Sequence, residues 1–194
     1  MPMNIRVVNT EIEGLLIIEP EFFQDDRGFF FESYSRQRFA EHGLDMTFVQ
    51  DNHSRSVQDV LRGFHYQDAK APQFRLVRCT VGVVWDVVVD LRMGSPTLGR
   101  WFGIELTAND KRQLLVPPEF AHGFCVLSPV AEVQYKCTNF HMAEAEKTLA
   151  WNDPQIGVPW PVKNPSLSMR DRETGSSFSD YLAKPDFVYQ DKSN

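Results

Sequence analysis

The segment Leu61-Arg62-Gly63-Phe64-His65-Tyr66-Gln67 combines a titratable imidazole with the alternating pattern of a β-strand. Because successive side chains of a strand point to opposite faces, Gly63, His65 and Gln67 are predicted to share one face. A free imidazole titrates near about 6.5, so His65 is a candidate general base at neutral pH. The alternative is a hydrogen-bonded core histidine, so the catalytic interpretation depends on partners elsewhere in the chain.

Groups that could assist His65 occur both near it and far from it in the sequence. Arg62 lies three residues before it, Arg75 lies ten residues after it, and Asp171 is a candidate for orienting the imidazole. Tyr135, in another strand-like run, could act as a general acid opposite a histidine base. The alternative for Tyr135 is a core tyrosine with a hydrogen-bonded hydroxyl.

Two further polar positions interrupt apolar strand-like runs. Asp86 and Asp90 share one face of such a run, which is unfavourable in a core unless both carboxylates are partnered. That face is either exposed to solvent or lines a polar cavity, and we predict that Asp86 is a cavity residue. His122 is flanked by the small residues Ala121 and Gly123, which suits either close approach of a ligand or a structural role.

Other segments carry groups that suit a nucleotide. Arg27 and Arg62 could bind phosphate oxygens, and the aromatic run Phe29-Phe30-Phe31 could stack a base or form ordinary core. The run Gln50-Asp51-Asn52-His53-Ser54-Arg55-Ser56 is rich in hydrogen-bond donors. It could be a ligand-contacting strand end or a solvated turn.

A metal site is disfavoured by the residue two positions after His65. Small β-barrels often bind a metal through His-x-His followed by a later Glu and His, whereas this chain has His65-x-Gln67. Glutamine is a poor ligand for transition metals, and no second histidine occurs at that spacing. We therefore expect no metal.

Composition bounds the class of protein. The 194 residues, 42% hydrophobic and 24% charged, fit one domain, and the net charge of −6 argues against a nucleic-acid or anionic-membrane partner. No apolar run approaches the roughly 20 residues of a membrane span, and the first ten residues lack the apolar core of a signal peptide. Cys79, Cys125 and Cys137 form no CxxC motif and are expected to be buried and reduced. The expected compartment is the cytoplasm.

The pattern of the chain is that of short strands separated by turns, which predicts an antiparallel sandwich or barrel. Strands are predicted over residues 15–19, 29–34, 48–52, 61–67, 74–80, 83–90, 99–106, 112–116, 123–127 and 131–138. Residues 35–43 are predicted to form a helix with Ser35 as N-cap and Gly43 just past its end. After a core of about residues 8–150, the proline-rich tail 151–194 is predicted to pack over the barrel with one or two short helices, one of them near residues 173–182.

The ordered set of these motifs closely resembles the dTDP-4-dehydrorhamnose 3,5-epimerases, a cupin jelly-roll family of the sugar-nucleotide pathways. The resemblance covers about residues 8–172. It is carried by Asp26-Arg27-Gly28-Phe29-Phe30 with Glu32, Val49-Gln50-Asp51-Asn52, Leu61-Arg62-Gly63-Phe64-His65-Tyr66-Gln67, Asp86-Val87-Val88-Val89-Asp90-Leu91-Arg92, Phe120-Ala121-His122-Gly123-Phe124, Tyr135-Lys136-Cys137-Thr138 and Trp151-Asn152-Asp153-Pro154.

The resemblance implies an epimerase that uses neither a metal nor another cofactor. His65 matches the base that removes the proton next to the C4 ketone of a nucleotide-linked 4-keto-6-deoxy sugar. Asp171 matches the carboxylate that orients this base, and Tyr135 matches the acid that returns a proton on the opposite face. Other matching positions hold the nucleotide diphosphate, its base or the sugar: Arg27, Glu32, Gln50, Asn52, Arg62, Asp86 and His122. The family is dimeric, with N-terminal strands exchanged between subunits.

Two residues depart from the family pattern. In the family, the corresponding positions lie next to the reacting sugar. Arg75 replaces a pocket lysine, and a planar guanidinium positions an oxyanion differently from a compact ammonium. His141 stands where many members carry a second tyrosine. The expected activity is 3,5-epimerisation of dTDP-4-dehydro-6-deoxy-D-glucose. These departures motivate an alternative, an enzyme that inverts C3 or C5 only.

Two other classes remain open on the sequence. A non-catalytic sugar-nucleotide-binding cupin would have no need of an acid and a base on opposite faces. A metal-dependent cupin oxygenase or isomerase would contain stoichiometric metal.

Overall fold

The computed structural model describes residues 3–190, in which the chain forms thirteen β-strands and three short α-helices. The strands are β1 (Ile5–Asn9), β2 (Leu16–Pro20), β3 (Phe23–Asp25), β4 (Gly28–Phe30), β5 (Gln50–Val57), β6 (Leu61–Gln67), β7 (Arg75–Val81), β8 (Val83–Asp90), β9 (Trp101–Thr107), β10 (Gln113–Val116), β11 (Phe120–Val126), β12 (Val130–Cys137) and β13 (Glu146–Thr148). The helices are α1 (Arg36–Glu41), α2 (Met169–Glu173) and α3 (Phe178–Ala183).

Two antiparallel sheets face each other and form a jelly-roll barrel of the cupin type. The large sheet has the strand order β1-β2-β10-β7-β12-β5, and the small sheet has the order β13-β6-β11-β8-β9. Strands β3 and β4 form a separate hairpin. The predicted antiparallel β-architecture is confirmed. The short strands β1, β3 and β13 were not predicted.

The two sheets bury their inner faces against each other, and parts of their outer faces are covered as well. Val77 and Val133 of the large sheet pack against Val88 and Phe124 of the small sheet inside the barrel. The outer face of the large sheet is covered by Phe39 of α1 and its neighbours, including Leu76 and Leu115 of the sheet. Apolar burial of this kind is the main favourable term for the fold.

The tail covers the outer face of the small sheet, as predicted. Phe178 and Tyr181 of α3, together with Phe187, pack against Phe64 and Val89. We propose that the tail and the barrel form a single domain. The last predicted part of the tail, residues 191–194, lies outside the described residues.

The N-terminal helix is confirmed with both of its predicted ends. The Ser35 side chain accepts a hydrogen bond from the backbone N of Arg38, and Gly43 has a φ of +76° just past the C-cap His42. A left-handed φ favours glycine, which ends the helix there.

Three predicted elements differ by more than a shift of a few residues at one end. Strand 29–34 ends at Phe30, and Phe29 and Phe30 are exposed, whereas Tyr34 packs against the core on the outer face of the large sheet. Strand 48–52 becomes β5 (Gln50–Val57), so the polar run 50–56 is a strand and not a turn. The tail forms two short helices. α2 shares only Glu173 with the predicted helix 173–182, and α3 begins at Phe178 because Ser177 and Asp180 form a capping box there.

No helix among residues 3–190 is both long and apolar enough to cross a membrane.

Candidate active site

A cavity of about 250 Å³ lies between the two sheets and contains most of the predicted site residues. The predicted residues that line it are Gln50, Asn52, Arg62, His65, Arg75, His122, Tyr135 and His141. Strands of both sheets supply them, so each wall of the cavity carries its own set of polar groups.

Strand β6 places an arginine and a histidine in this cavity through an irregularity in its pairing with β11. His65 pairs with His122, but Arg62 pairs with Phe124, and the register shifts between these two points. Arg62 and His65 therefore both line the cavity, although strict alternation would put them on opposite faces. Close backbone approach requires glycine here, since a Cβ on Gly63 would lie 2.5 Å from the Cα of Gly123.

His65 is held by a buried carboxylate. Its Nε2 lies 2.5 Å from Oδ1 of Asp171, which is presented by the short helix α2. Ser168 caps this helix by accepting a hydrogen bond from the backbone N of Asp171. When Nε2–H donates to the carboxylate, the neutral imidazole carries its free lone pair on Nδ1.

The surroundings of His65 and Asp171 favour a neutral imidazole and an ionised carboxylate, as a general base requires. Burial lowers the pKa of His65 below its usual value, while the hydrogen bond and negative charge of Asp171 act in the opposite direction. Burial works to raise the pKa of Asp171, but the hydrogen bond and charge of His65, together with Ser168 and the charge of Arg170, hold the pKa below its usual value. At neutral pH the pair is therefore a neutral imidazole beside a carboxylate.

Tyr135 enters the cavity from the opposite wall. It lies on β12 of the large sheet, whereas His65 lies on β6 of the small sheet. Burial raises the pKa of Tyr135 above its usual value, although the positive charge of Arg75 opposes this. The phenol is therefore protonated at neutral pH and can serve as a proton donor.

Arg75 is fixed close to the base. Its Nη1 donates to the backbone oxygen of His65 at 3.0 Å, and its Nε donates to Oε1 of Gln73 at 3.2 Å. The guanidinium thus supplies a positioned positive charge to the cavity, in the place that the family pattern gives to lysine.

Asp86 does not line the cavity, although the sequence predicted that it would. The residue is completely buried, and both of its carboxylate oxygens lie 2.9 Å from Nε2 of His122. His122 separates Asp86 from the cavity and provides the partner that a buried carboxylate needs. Asp86 therefore holds a cavity residue in place.

Arg27 and Glu32 also lie away from the cavity of their own chain. The Arg27 side chain is 90% exposed at the tip of the β3–β4 hairpin, where it pairs with Asp25. Glu32 follows the hairpin and is exposed. Neither residue is among those lining the cavity, because the hairpin stands apart from both sheets.

The cavity also contains charged groups that were not predicted. Glu146 of β13 forms an ion pair with Arg170 at 2.6 Å and lies 3.3 Å from Nε2 of His141. Burial works to raise the pKa of Glu146, but its hydrogen bonds with Arg170 and His141 hold the pKa below the usual value. Proximity to Asp171 could have indicated Arg170, but no sequence signal points to Glu146.

No group of three or more His, Cys, Asp or Glu side chains in residues 3–190 is arranged to hold a metal ion. The chemistry that the described side chains offer is proton transfer. A neutral imidazole on one wall can remove a proton, a phenol on the other wall can return one, and Arg62 and Arg75 can stabilise negative charge.

Comparison with known proteins supports this assignment at the level of family. The family model described as dTDP-4-dehydrorhamnose 3,5-epimerase matches residues 9–179. The dTDP-4-dehydrorhamnose 3,5-epimerase of Shigella flexneri is 52% identical over 168 residues, which cover 86% of this chain and 93% of that protein. The dTDP-4-dehydrorhamnose 3-epimerase of Streptomyces niveus is 39% identical over 84% of this chain and 79% of its own length.

The fold comparison agrees with the sequence comparison. A dTDP-6-deoxy-D-glucose-3,5-epimerase from Legionella pneumophila, solved in complex with dTDP-4-keto-L-rhamnose, superposes with a TM-score of 0.89. It is 43% identical, and the match covers 97% of this chain and 100% of that one. The chain therefore belongs to the dTDP-4-dehydrorhamnose 3,5-epimerase family.

Proposed function

We propose that the protein epimerises dTDP-4-dehydro-6-deoxy-D-glucose at C3 and C5 and so forms dTDP-4-dehydro-L-rhamnose. The observation that carries the proposal is the placement of His65 and Tyr135 on opposite walls of one cavity. Inversion requires that a proton leave one face of the sugar and return to the other, which a single base cannot achieve.

In this mechanism Nδ1 of His65 removes the proton from the carbon next to the C4 ketone. The electron pair of the C–H bond forms the enolate, and its negative charge on the C4 oxygen is stabilised by Arg75. Tyr135 then donates its proton to the same carbon from the opposite face. One preorganised donor to such an oxyanion is worth about 2.7–4 kcal/mol. Asp171 keeps the imidazole in the productive tautomer.

The cycle repeats at the second carbon after both groups have exchanged protons with solvent. This requirement makes the two inversions separate events, each with its own proton exchange. The direct test is incubation of the protein with the dTDP-4-keto sugar in D₂O, followed by NMR of the ring protons. We expect deuterium at both C3 and C5. Deuterium at one carbon alone would contradict the proposal.

A second candidate function is epimerisation at one centre only. It is favoured by Arg75 and His141, which replace residues near the reacting sugar, and by the 3-epimerase name of the Streptomyces niveus relative. The same NMR experiment separates the two functions, because a single-centre enzyme would leave either the C3 or the C5 proton signal intact.

We infer that Arg27 and Glu32 act in the cavity of a second copy of the chain within a homodimer. Both lie outside the cavity of their own chain, and the hairpin presents the exposed aromatic residues Phe23, Phe29 and Phe30. Exposed apolar patches of this kind mark interaction surfaces. The remaining polar groups for the nucleotide diphosphate or its base are Gln50, Asn52 and Arg62 of the same chain, and His122 is a further pocket residue.

Exchange of the hairpin predicts complementation between two inactive variants. Subunits carrying His65→Ala, co-expressed with subunits carrying Arg27→Ala and Glu32→Ala, should regain activity, since each mixed dimer contains one complete cavity. Random pairing makes about half of the dimers mixed, so about a quarter of the sites should be functional. Activity and light scattering of the co-purified dimer are the measurements. A monomer, or a mixed dimer without activity, would overturn the inference.

The pKa shifts predict how the rate depends on pH. The base works when neutral, and burial lowers the pKa of His65, so kcat/KM should rise with pH through a midpoint below about 6.5 and be level near pH 7. Asp171→Asn removes the charge that favours the imidazolium, which should move this midpoint to still lower pH. It should also lower kcat by about 10²–10⁴-fold because the tautomer is no longer held.

A pH–rate profile of both proteins tests this prediction. Asp180→Asn is the matched control, since that carboxylate caps the exposed start of α3 and lies outside the cavity. A midpoint that moves to higher pH in Asp171→Asn would contradict the assigned pairing.

We also propose that the reaction takes place in the cytoplasm. The proposal is supported by Cys79, Cys125 and Cys137, which are buried and unpaired by disulfides.

A further inference from the structure

Residues 139–142 form a crossing between the two sheets at the edge of the cavity. They leave β12 of the large sheet and lead through a 3₁₀ turn (Ala143–Ala145) to β13 of the small sheet. The segment carries His141 into the lining of the cavity that contains His65 and Tyr135. Its backbone position therefore decides where His141 stands relative to the base and the acid.

Two side-chain amides hold this crossing, one from each sheet. Oε1 of Gln50 on β5 accepts a hydrogen bond from the backbone N of His141 at 3.1 Å. Oε1 of Gln67 on β6 accepts one from the backbone N of Met142 at 3.0 Å. The backbone N–H groups of two successive residues are thus bound to opposite walls of the cavity. These two hydrogen bonds fix the position of the segment between the two sheets.

The orientation of the Gln67 amide follows from this contact. A backbone N–H can only donate, so the oxygen of the amide, and not its nitrogen, must face Met142. Gln67 is 2% exposed, and within residues 3–190 its Nε2 has no protein hydrogen-bond partner. Burying an amide is unfavourable unless its polar atoms are hydrogen-bonded. An apolar residue would therefore be more stable at this position if the amide oxygen did not bind the backbone of Met142.

A third contact joins the same group of residues. His141 lies 3.3 Å from Oε2 of Glu146, and Glu146 is paired directly with Gln67 across strands β13 and β6. Gln67 and Glu146 are therefore neighbours on the small sheet, where Gln67 binds the backbone of residues 139–142 and Glu146 binds the imidazole of His141. Side chain and backbone of the segment are tied to one point on the small sheet.

We propose that Gln67 is a positioning residue that fixes residues 139–142 across the cavity and thereby sets the place of His141 beside the reacting sugar. The inference rests on the proposed function in one respect, that the cavity is where the sugar reacts. Gln67 acts through His141 and does not touch the substrate. Loss of Gln67 should change the relative rates at which His65 removes protons from C3 and C5, but it should not abolish proton transfer.

The principal variant is Gln67→Leu, which keeps the volume and removes the oxygen. We expect backbone amide exchange in residues 139–142 to become about tenfold faster, as for loss of one buried hydrogen bond. We expect kcat/KM to fall about tenfold and the ratio of deuterium incorporation at C3 and C5 to change. Gln67→Met, unbranched like glutamine and also without the oxygen, should show the same faster exchange and the same altered ratio.

A double-mutant cycle tests whether Gln67 acts through His141. In a His141→Ala background, Gln67→Leu should leave the C3 to C5 ratio unchanged, because the residue that it positions is gone. Ser128→Ala is the matched control. It removes a side-chain oxygen that accepts from the backbone N of Val83 outside the cavity, and it should change neither the ratio nor exchange in residues 139–142.

The outcomes separate this inference from the proposed function. Amide exchange is measured without substrate. A wild-type protein that fails to epimerise would therefore contradict the proposed function but would not affect the exchange result. Unchanged exchange in Gln67→Leu, or faster exchange with an unchanged C3 to C5 ratio, would overturn the role of Gln67. If Gln67→Leu fails to fold, Gln67→Met, unbranched like glutamine, takes its place under the same criteria.

Discussion

Replacing His65 with alanine should abolish both proton exchange and inversion, lowering kcat by about 10²–10⁴-fold or more. The reason is that proton removal at either carbon requires a neutral base, and the cavity offers no substitute. Tyr135 is protonated at neutral pH because burial raises its pKa, and the carboxylate of Glu146 is engaged by Arg170. His122 is bound to Asp86 and cannot replace His65 without breaking that pair.

The measurement is NMR of the dTDP-4-keto sugar in D₂O with His65→Ala and with the wild-type protein. His42→Ala is the matched control, since His42 is the exposed C-cap of α1 and lies outside the cavity. Unchanged turnover in His65→Ala would reject the catalytic role and favour a binding protein. Loss of activity in both variants would show that the assay reports stability instead of chemistry.

Tyr135→Phe should separate exchange from inversion. Without the phenol hydroxyl, the enolate can still take back a proton or deuteron from His65 on the original face. Deuterium should therefore still enter the sugar with retention of configuration, while formation of the epimerised product falls by about 10²–10⁴-fold. The aromatic ring remains, so the packing of β12 against β7 should be preserved.

Product configuration and deuterium content, both read by NMR, test this separation. Tyr34→Phe is a suitable control, because the Tyr34 hydroxyl donates to the backbone oxygen of Met46 on the outer face of the large sheet. Its loss should cost about 1 kcal/mol of unfolding free energy and leave epimerisation unchanged. Full inversion by Tyr135→Phe would assign the acid to another group.

Most of the architecture was predictable because alternation of side chains is a local property. The strands β6, β8 and β12 have the predicted bounds to within one residue, and the apolar face of β8 packs under the tail. The errors occur where tertiary contacts override local preference. The aromatic strand predicted over 29–34 ends at Phe30, in the exposed β3–β4 hairpin. The tail helix is a separate case, because a local signal, the capping box of Ser177 and Asp180, begins α3 only at Phe178.

The site was predictable in its membership and less so in its geometry. Eight of the predicted residues line one cavity. The chemistry of their side chains and the family motifs were sufficient to identify them. Arg27, Glu32 and Asp86 lie elsewhere, and Glu146 was not recognised. Burial behind His122 and placement on a separate hairpin are consequences of chain paths that no short motif contains.

The sequence by itself determined the inventory of the segment 61–67: an imidazole for proton transfer, a glycine that permits close approach, and a glutamine in place of a metal ligand. Only the tertiary structure decided how that inventory is used. The register shift between β6 and β11 brings Arg62 to the side of His65, and α2 brings Asp171 from 106 residues away. The reason is that side-chain alternation is set locally, whereas strand register and helix docking are set by packing between distant parts of the chain.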